Sequence, residues 1–371
     1  MKRWLPLFMM MVTLGAGLPM AQSSTPDAWR QQAMDSSLSQ SERIEAIKRL
    51  YPEYLSANGA VPQRTICVWD VLGRSGPIYA TAMDQQARLL EMGLNVRIEA
   101  YTNEGVLTDD LKAGQCHAGL FTGIRARLFN QFTGTIDAVG AIPSSQHMAM
   151  LMQVLSHPRN APRMEEGQFV VMGFAPMGAA YIFVNDRAIS TLARAAGKRV
   201  AVMDYDPVQA EMILGLGANP VPISIVQAGS AFNNNNVDVL PAPLVAYSML
   251  ELYKGMGDKG GIVNYPFSQL TLQLVGRRDQ FPREVAQLIR EDFVRRFAEI
   301  ERQVEQQTGE IPEHLWIAIS DAEKAEYQQM MQEARIFLRE RDYYHADMLS
   351  LQRRVRCRFE PAHAECAQPV E

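Results

Sequence analysis

The chain has 371 residues, 47% hydrophobic and 21% charged, with a formal net charge of −5. That length exceeds what one hydrophobic core organises, so two lobes are expected. The acidic balance lacks the basic footprint of a nucleic-acid or anionic-membrane binder.

Lys2 and Arg3 precede an apolar run from Trp4 to Leu18, followed by Pro19-Met20-Ala21. This order of charge, apolar run and small residue predicts a secretory signal peptide over 1–21, cleaved near Ala21. The run is shorter than the ~20 residues a membrane span needs. No cysteine follows the cleavage site, so no lipid anchor is expected there and the mature chain should be periplasmic. Residues 22–63 read as a helical extension. Thr25 before Pro26 and the capping box Ser39/Glu42 are its start signals, with Ile44, Ile47 and Leu50 on one face.

A first α/β lobe is expected over 64–170. Its strands run from Thr65 to Val71, Leu94 to Ala100 and His117 to Phe121, and Gly73-Arg74-Ser75-Gly76-Pro77 turns into a helix ending at Gly93. The long apolar run from Phe169 to Val184 suits a strand crossing between lobes, with Ile262 to Val275 leading back. The second lobe spans 171–275, with crossings near 171–184 and 262–275. From Pro282 the chain turns helical, Val285, Ile289, Phe293, Phe297, Ile300 and Val304 marking one face. Ser320 with Glu323 opens a further helix expected to run to Arg356. Residues 276–371 should pack mainly on the first lobe.

Within the second lobe, Lys198 to Met203 is an apolar strand and Pro207 to Leu216 a helix stopped by Gly217-Ala218-Asn219-Pro220. Val221 to Ile225 and Val237 to Leu240 are further strands, with Asn233 to Asn236 as a turn. This order of pieces, from Gly197 to Tyr247, resembles the second lobe of the periplasmic solute-binding proteins of TRAP-type transporters, and the likeness extends more weakly over 64–300. The resemblance implies a two-lobed, type II-like periplasmic-binding-protein fold that closes on a small organic solute and delivers it to membrane permease subunits. In that family an arginine of the second lobe, in a Gly-Leu-Lys-Ile-Arg pattern, binds the ligand carboxylate. Here the stretch is Gly197-Lys198-Arg199-Val200-Ala201, and Ala201 takes the arginine's place. Arg199 keeps the same strand face but lies nearer the strand start, away from a cleft.

Enzyme signatures are missing from the sequence. None of the six histidines has metal-ligand spacing, and His117 reads as a core histidine. There is no GxSxG elbow and no Walker A sequence. Gly255-x-Gly257-x-x-Gly260 precedes a strand instead of following one, which reads as a loop and not a dinucleotide site. No cofactor or metal is therefore expected.

Ligand-binding candidates lie where the strands end, because open α/β sheets bind ligands at the carboxyl ends of their strands. In the first lobe these are Asp70, Arg74, Ser75, Thr122 and Arg125. Arg74 is the foremost candidate for gripping an anion, or else a solvated loop arginine. In the second lobe Asp204 either accepts from a ligand or caps the helix at Pro207, and Tyr205 follows it. Phe174, Tyr265 and Phe267, near the crossings, either stack on a ligand or belong to the core.

Four cysteines in an exported chain predict disulfides. A strand order 2-1-3 would place Cys67 beside Cys116, leaving Cys357 to pair with Cys366. Pairing of Cys67 with Cys357 or Cys366 stays open if the tail reaches the sheet. The expectation is a monomeric, non-enzymatic solute-binding protein. The alternative is a ligand-sensing subunit that docks on a membrane receptor without transport.

Overall fold

The computed structural model describes residues 25–52, 62–309 and 311–371. The expected signal segment lies outside them. Ten strands occur among these residues: β1 (Arg64–Trp69), β2 (Val96–Tyr101), β3 (Ala118–Thr122), β4 (Glu165–Glu166), β5 (Phe169–Val184), β6 (Arg199–Met203), β7 (Asn219–Ile223), β8 (Val239–Pro243), β9 (Gly261–Arg277) and β10 (Trp316–Ile317). They form one sheet of order β2-β1-β3-β9-β5-β8-β6-β7, with β10 on β9 and β4 on β5.

β5 and β9 run antiparallel through both lobes, paired from Phe169↔Arg277 to Val184↔Gly261. The ribbon is interrupted at three register shifts, one of them between Pro176 and Gly178, midway along its length. Gly178 takes φ +83 there, a left-handed conformation that favours glycine. At Gly173 a Cβ would lie 2.2 Å from the Phe293 ring, so only glycine lets the helix Arg283–Arg295 come this close.

Each lobe hangs a parallel trio on this ribbon. β1 is parallel to β2 and β3, and all six of its residues are buried, as an apolar strand covered on both faces must be. β3 is antiparallel to β9, and β8 is antiparallel to β5 and parallel to β6. The carboxyl ends of the two trios therefore face each other across the middle of the ribbon.

The first core joins β1, β3 and β5 to the helices Ser145–Ser156 and Arg283–Arg295. Two smaller clusters fill the second lobe. The N-terminal helices Pro26–Met34 and Gln40–Leu50 pack onto the first lobe and add Ala33, Ile44, Ala46 and Ile47 to its core, the second helix opened by the Ser39/Glu42 capping box. They are pinned through Arg43, which pairs with Glu291 and donates to the Ala33 carbonyl.

The helix expected from Ser320 to Arg356 is two helices, Asp321–Glu340 and Ala346–Phe359. The break has a physical cause. Asp342 turns to φ +53, which lets Tyr344 bury, its hydroxyl accepting from the Val139 amide at 3.3 Å. A continuous helix would carry Tyr343 and Tyr344 away from these contacts. The Asp321–Glu340 helix also reaches the second lobe, where Tyr327 and Met331 pack with Val184, Val200 and Val263. Beyond it, Arg335 and Arg356 both hold the buried Glu371 carboxylate, at 2.5 and 3.2 Å.

The disulfides are Cys67–Cys116 and Cys357–Cys366, with Cα separations of 5.9 and 5.7 Å. The first follows from the β2-β1-β3 order, which places the segment before β3 beside β1.

Candidate functional site

Two cavities lie between the lobes. The first encloses about 340 Å³ and is lined mainly by aliphatic and aromatic side chains. Ile78, Ile124 and Trp69 come from the first lobe, Met212, Ile225 and Met249 from the second, and Pro176, Met177 and Phe267 from the ribbon. The second, about 370 Å³, is polar and lies between Trp69, Asn103, Glu104 and Arg125 on one side and Asp204, Tyr205 and Ser224 on the other. Trp69 and Ile225 line both.

The polar chamber is built from strand ends and helix starts. Asn103 caps the helix Glu104–Ala113, and Thr122 caps the short helix Gly123–Ala126 that carries Arg125. Glu104 is buried and accepts from the Thr122 amide at 2.7 Å and from its hydroxyl at 3.2 Å. Burial pushes its carboxyl above the usual range, opposed by those bonds and by Arg125, whose Nε stands 3.9 Å away. The Arg125 guanidinium lies 3.5 Å over the Tyr205 ring, a cation–π contact that joins the lobes. Burial also raises the Tyr205 hydroxyl pKa.

A second contact closes the gap. Arg127 of the first lobe pairs with Asp206 of the second at 2.9 Å, both nearly buried. Tyr343 donates to Asp206, and its ring lies 3.5 Å from the Arg127 guanidinium. Asp206 also caps the helix Pro207–Gly215. Close by, Asp137 lines the apolar cavity and accepts from the Thr271 amide and hydroxyl. Burial raises its pKa to about 7 against those two bonds.

Of the residues singled out in the sequence, Arg125, Asp204 and Tyr205 meet in the polar chamber, while Thr122 and Phe267 line the apolar cavity. Asp70 is fully buried and accepts from the amides of Leu72, Ile78 and Tyr79, so its carboxylate organises the turn and the helix start. Arg74 and Ser75 are exposed in that turn and line neither cavity. Phe174 is buried in the first core, and Tyr265 stacks on Tyr327. Asp204 is exposed, and the cap at Pro207 comes from Asp206.

Sequence reasoning passed over Trp69, Glu104, Arg127 and Asp137. Trp69 carried a usable signal, a large aromatic at the last position of an apolar strand. Ala201 faces the apolar cavity, while Arg199 is ion-paired with Asp238 at 2.6 Å at the far end of β6. Among the described residues no group of three or more His, Cys, Asp or Glu is placed to hold a metal, and no helix is long and apolar enough to cross a membrane.

A sheet divided into two parallel trios by a crossing ribbon, with a cleft between their carboxyl ends, is the fold of a two-lobed solute-binding protein. Solved TRAP periplasmic solute-binding proteins share it. One from Desulfovibrio salexigens with bound orotic acid superposes with a TM-score of 0.66 at 15% identity, over 80% of this chain and 99% of that one. Another, from Sulfurospirillum deleyianum with bound succinate, gives 0.58 at 16% identity, over 79% and 99%.

Closer relatives are found by sequence. The profile described as "Solute-binding protein AdeT 1/2" matches residues 87–371. "Probable solute-binding protein AdeT1" of Acinetobacter baumannii is 37% identical over 300 residues, 81% of this chain and 99% of that protein. AdeT2 of the same organism is 27% identical over 233 residues, 63% of this chain and 98% of that protein. The chain belongs to the AdeT 1/2 family of solute-binding proteins.

Proposed function

We propose that the protein is exported to the periplasm, loses residues 1–21, captures a small organic solute between its lobes and passes it to a membrane permease. The observation that carries this reading is the pair of interlobe cavities, spanned by Arg125–Tyr205 and Arg127–Asp206. Contacts made only when the lobes meet give a ligand a closed state to favour, and closure alters the outer surface a permease would recognise. The bound acids of the TRAP structures and the solute-binding relatives support the same reading. Arg125, Tyr205, Trp69 and Thr122 are the proposed ligand contacts; Arg74 and Ser75 stay at the surface.

Native mass spectrometry of protein purified from the periplasm tests this reading. A mature mass beginning after Ala21, together with a retained small molecule, is the expected result. A full-length mass in the membrane fraction would overturn the export step. No retained molecule and no melting shift across a broad metabolite library would overturn capture.

A further inference from the structure

Three buried polar atoms at the polar chamber have no hydrogen-bond partner: Trp69 Nε1, Arg125 Nε and the Tyr205 hydroxyl. They come from a strand end and a helix start of one lobe and from the facing loop of the other, and all three residues line the same cavity. An indole N–H and a guanidinium N–H can only donate, and a phenol donates readily. Buried donors are almost always satisfied in folded proteins, so three unsatisfied ones around one space mark a missing acceptor.

Charge narrows that acceptor. Of the arginines lining the two cavities, Arg88, Arg127 and Arg296 are held by Asp292, Asp206 and Glu299 at 2.9, 2.9 and 3.2 Å. Arg125 has only Glu104 at 3.9 Å, and burial biases that carboxyl toward its neutral form. One under-compensated cation suits one oxyanion. Beside the chamber lies the apolar cavity, which shares Trp69 and Ile225 with it, and Ala201 adds no charge there. Most of that cavity's wall is aliphatic or aromatic, so an aromatic or alkyl body gains from burial there.

We propose that the ligand is an amphipathic monocarboxylate, its carboxylate received by Trp69 Nε1, Arg125 and the Tyr205 hydroxyl and its apolar body lodged in the neighbouring cavity. This rests on the solute-binding reading. Asp204, exposed at the chamber's rim, disfavours a second acidic group on the ligand.

Calorimetric titration of the mature protein with 4-phenylbutyrate, its amide, succinate and galacturonate tests the proposal. The acid should bind about tenfold or more tighter than each of the other three. Trp69→Phe and Tyr205→Phe should each weaken it about tenfold, and Arg125→Met about a hundredfold, with a smaller effect on the amide. The melting temperature without ligand should hold for Tyr205→Phe, because an unpartnered hydroxyl removed from a cavity wall takes no bond with it, whereas Trp69→Phe also removes buried core volume and is compared by affinity at a temperature where it stays folded. Unchanged affinity for the acid in all three variants overturns the recognition set. Tighter binding of succinate or galacturonate overturns the ligand class and leaves solute binding standing. If none of the four binds, the solute retained on purification decides: an acid with an apolar body supports the proposal, a polar one overturns it, and none at all, together with no melting shift across the metabolite library, overturns the reading beneath it.

Discussion

Replacing Arg127 by alanine should weaken ligand binding without unfolding either lobe. Arg127 and Asp206 meet at 2.9 Å, with side-chain exposures of 13% and 3%, and Tyr343 completes the contact. At an effective dielectric near 20 the gross attraction at this distance is about 6 kcal/mol. Desolvation offsets much of that, and removing one partner of a buried pair typically costs about 3–5 kcal/mol because the other charge is left alone. Opening the cleft offers relief by returning Asp206 to water, so the cost falls on the closed form.

A penalty of about 3 kcal/mol on closure lowers the closed population, and with it the apparent affinity, by about a hundredfold. Calorimetry with the ligand retained on purification reads this directly. Adding Asp206→Asn should recover part of the loss, since the amide keeps the cap on Gln209 N and carries no buried charge. A dissociation constant within twofold of wild type in Arg127→Ala would refute the argument, as would a double variant weaker than the single one.

Other outcomes follow from single features. Asp137, with a pKa raised to about 7 by burial, binds its proton more tightly folded than unfolded, so its contribution to stability falls as pH rises from about 4 through 7. Asp137→Asn should flatten denaturant-measured stability over that window, and an unchanged slope would contradict the assignment. The Cys67–Cys116 bridge spans a sequence separation of 49, which in the chain-entropy model is worth about 4 kcal/mol, against about 3 for the separation of 9 in Cys357–Cys366. Paired alanine substitutions should therefore lower the urea midpoint more at the first bridge than at the second. Gly173→Ala forces a Cβ into the Phe293 ring and should cost about 1–3 kcal/mol of stability, read from the same unfolding curves.

The sequence patterns that were legible are those whose cause is local. Ile66 to Trp69 of β1 is an unbroken apolar run because the strand is covered on both faces, and the capping boxes at Ser39 and Ser320 state their helix starts outright. The long crossing strands were visible for the same reason. What escaped was set by contacts between distant segments. Arg127 and Asp206 are 79 residues apart, and nothing near either announces the other. The break at 341–345 serves Tyr344 and Val139, likewise far apart in the chain. Arg74 drew attention because glycines surround it. Those glycines answer to other demands: Gly73 takes φ +59, and a Cβ at Gly76 would meet the Asp70 carboxylate at 1.8 Å. Arg125 was visible in the sequence, whereas its unpartnered Nε and its stacking on Tyr205 exist only once the lobes meet.

Capture by closure is the central claim, and small-angle scattering of the mature protein tests it most directly. A compact chain of this size has a radius of gyration of about 20 Å. The account predicts a larger radius for ligand-free protein and a decrease toward the compact value at saturation with the retained ligand, the decrease being smaller in Arg127→Ala. An identical radius with and without ligand, at concentrations where calorimetry shows the site filled, would contradict it.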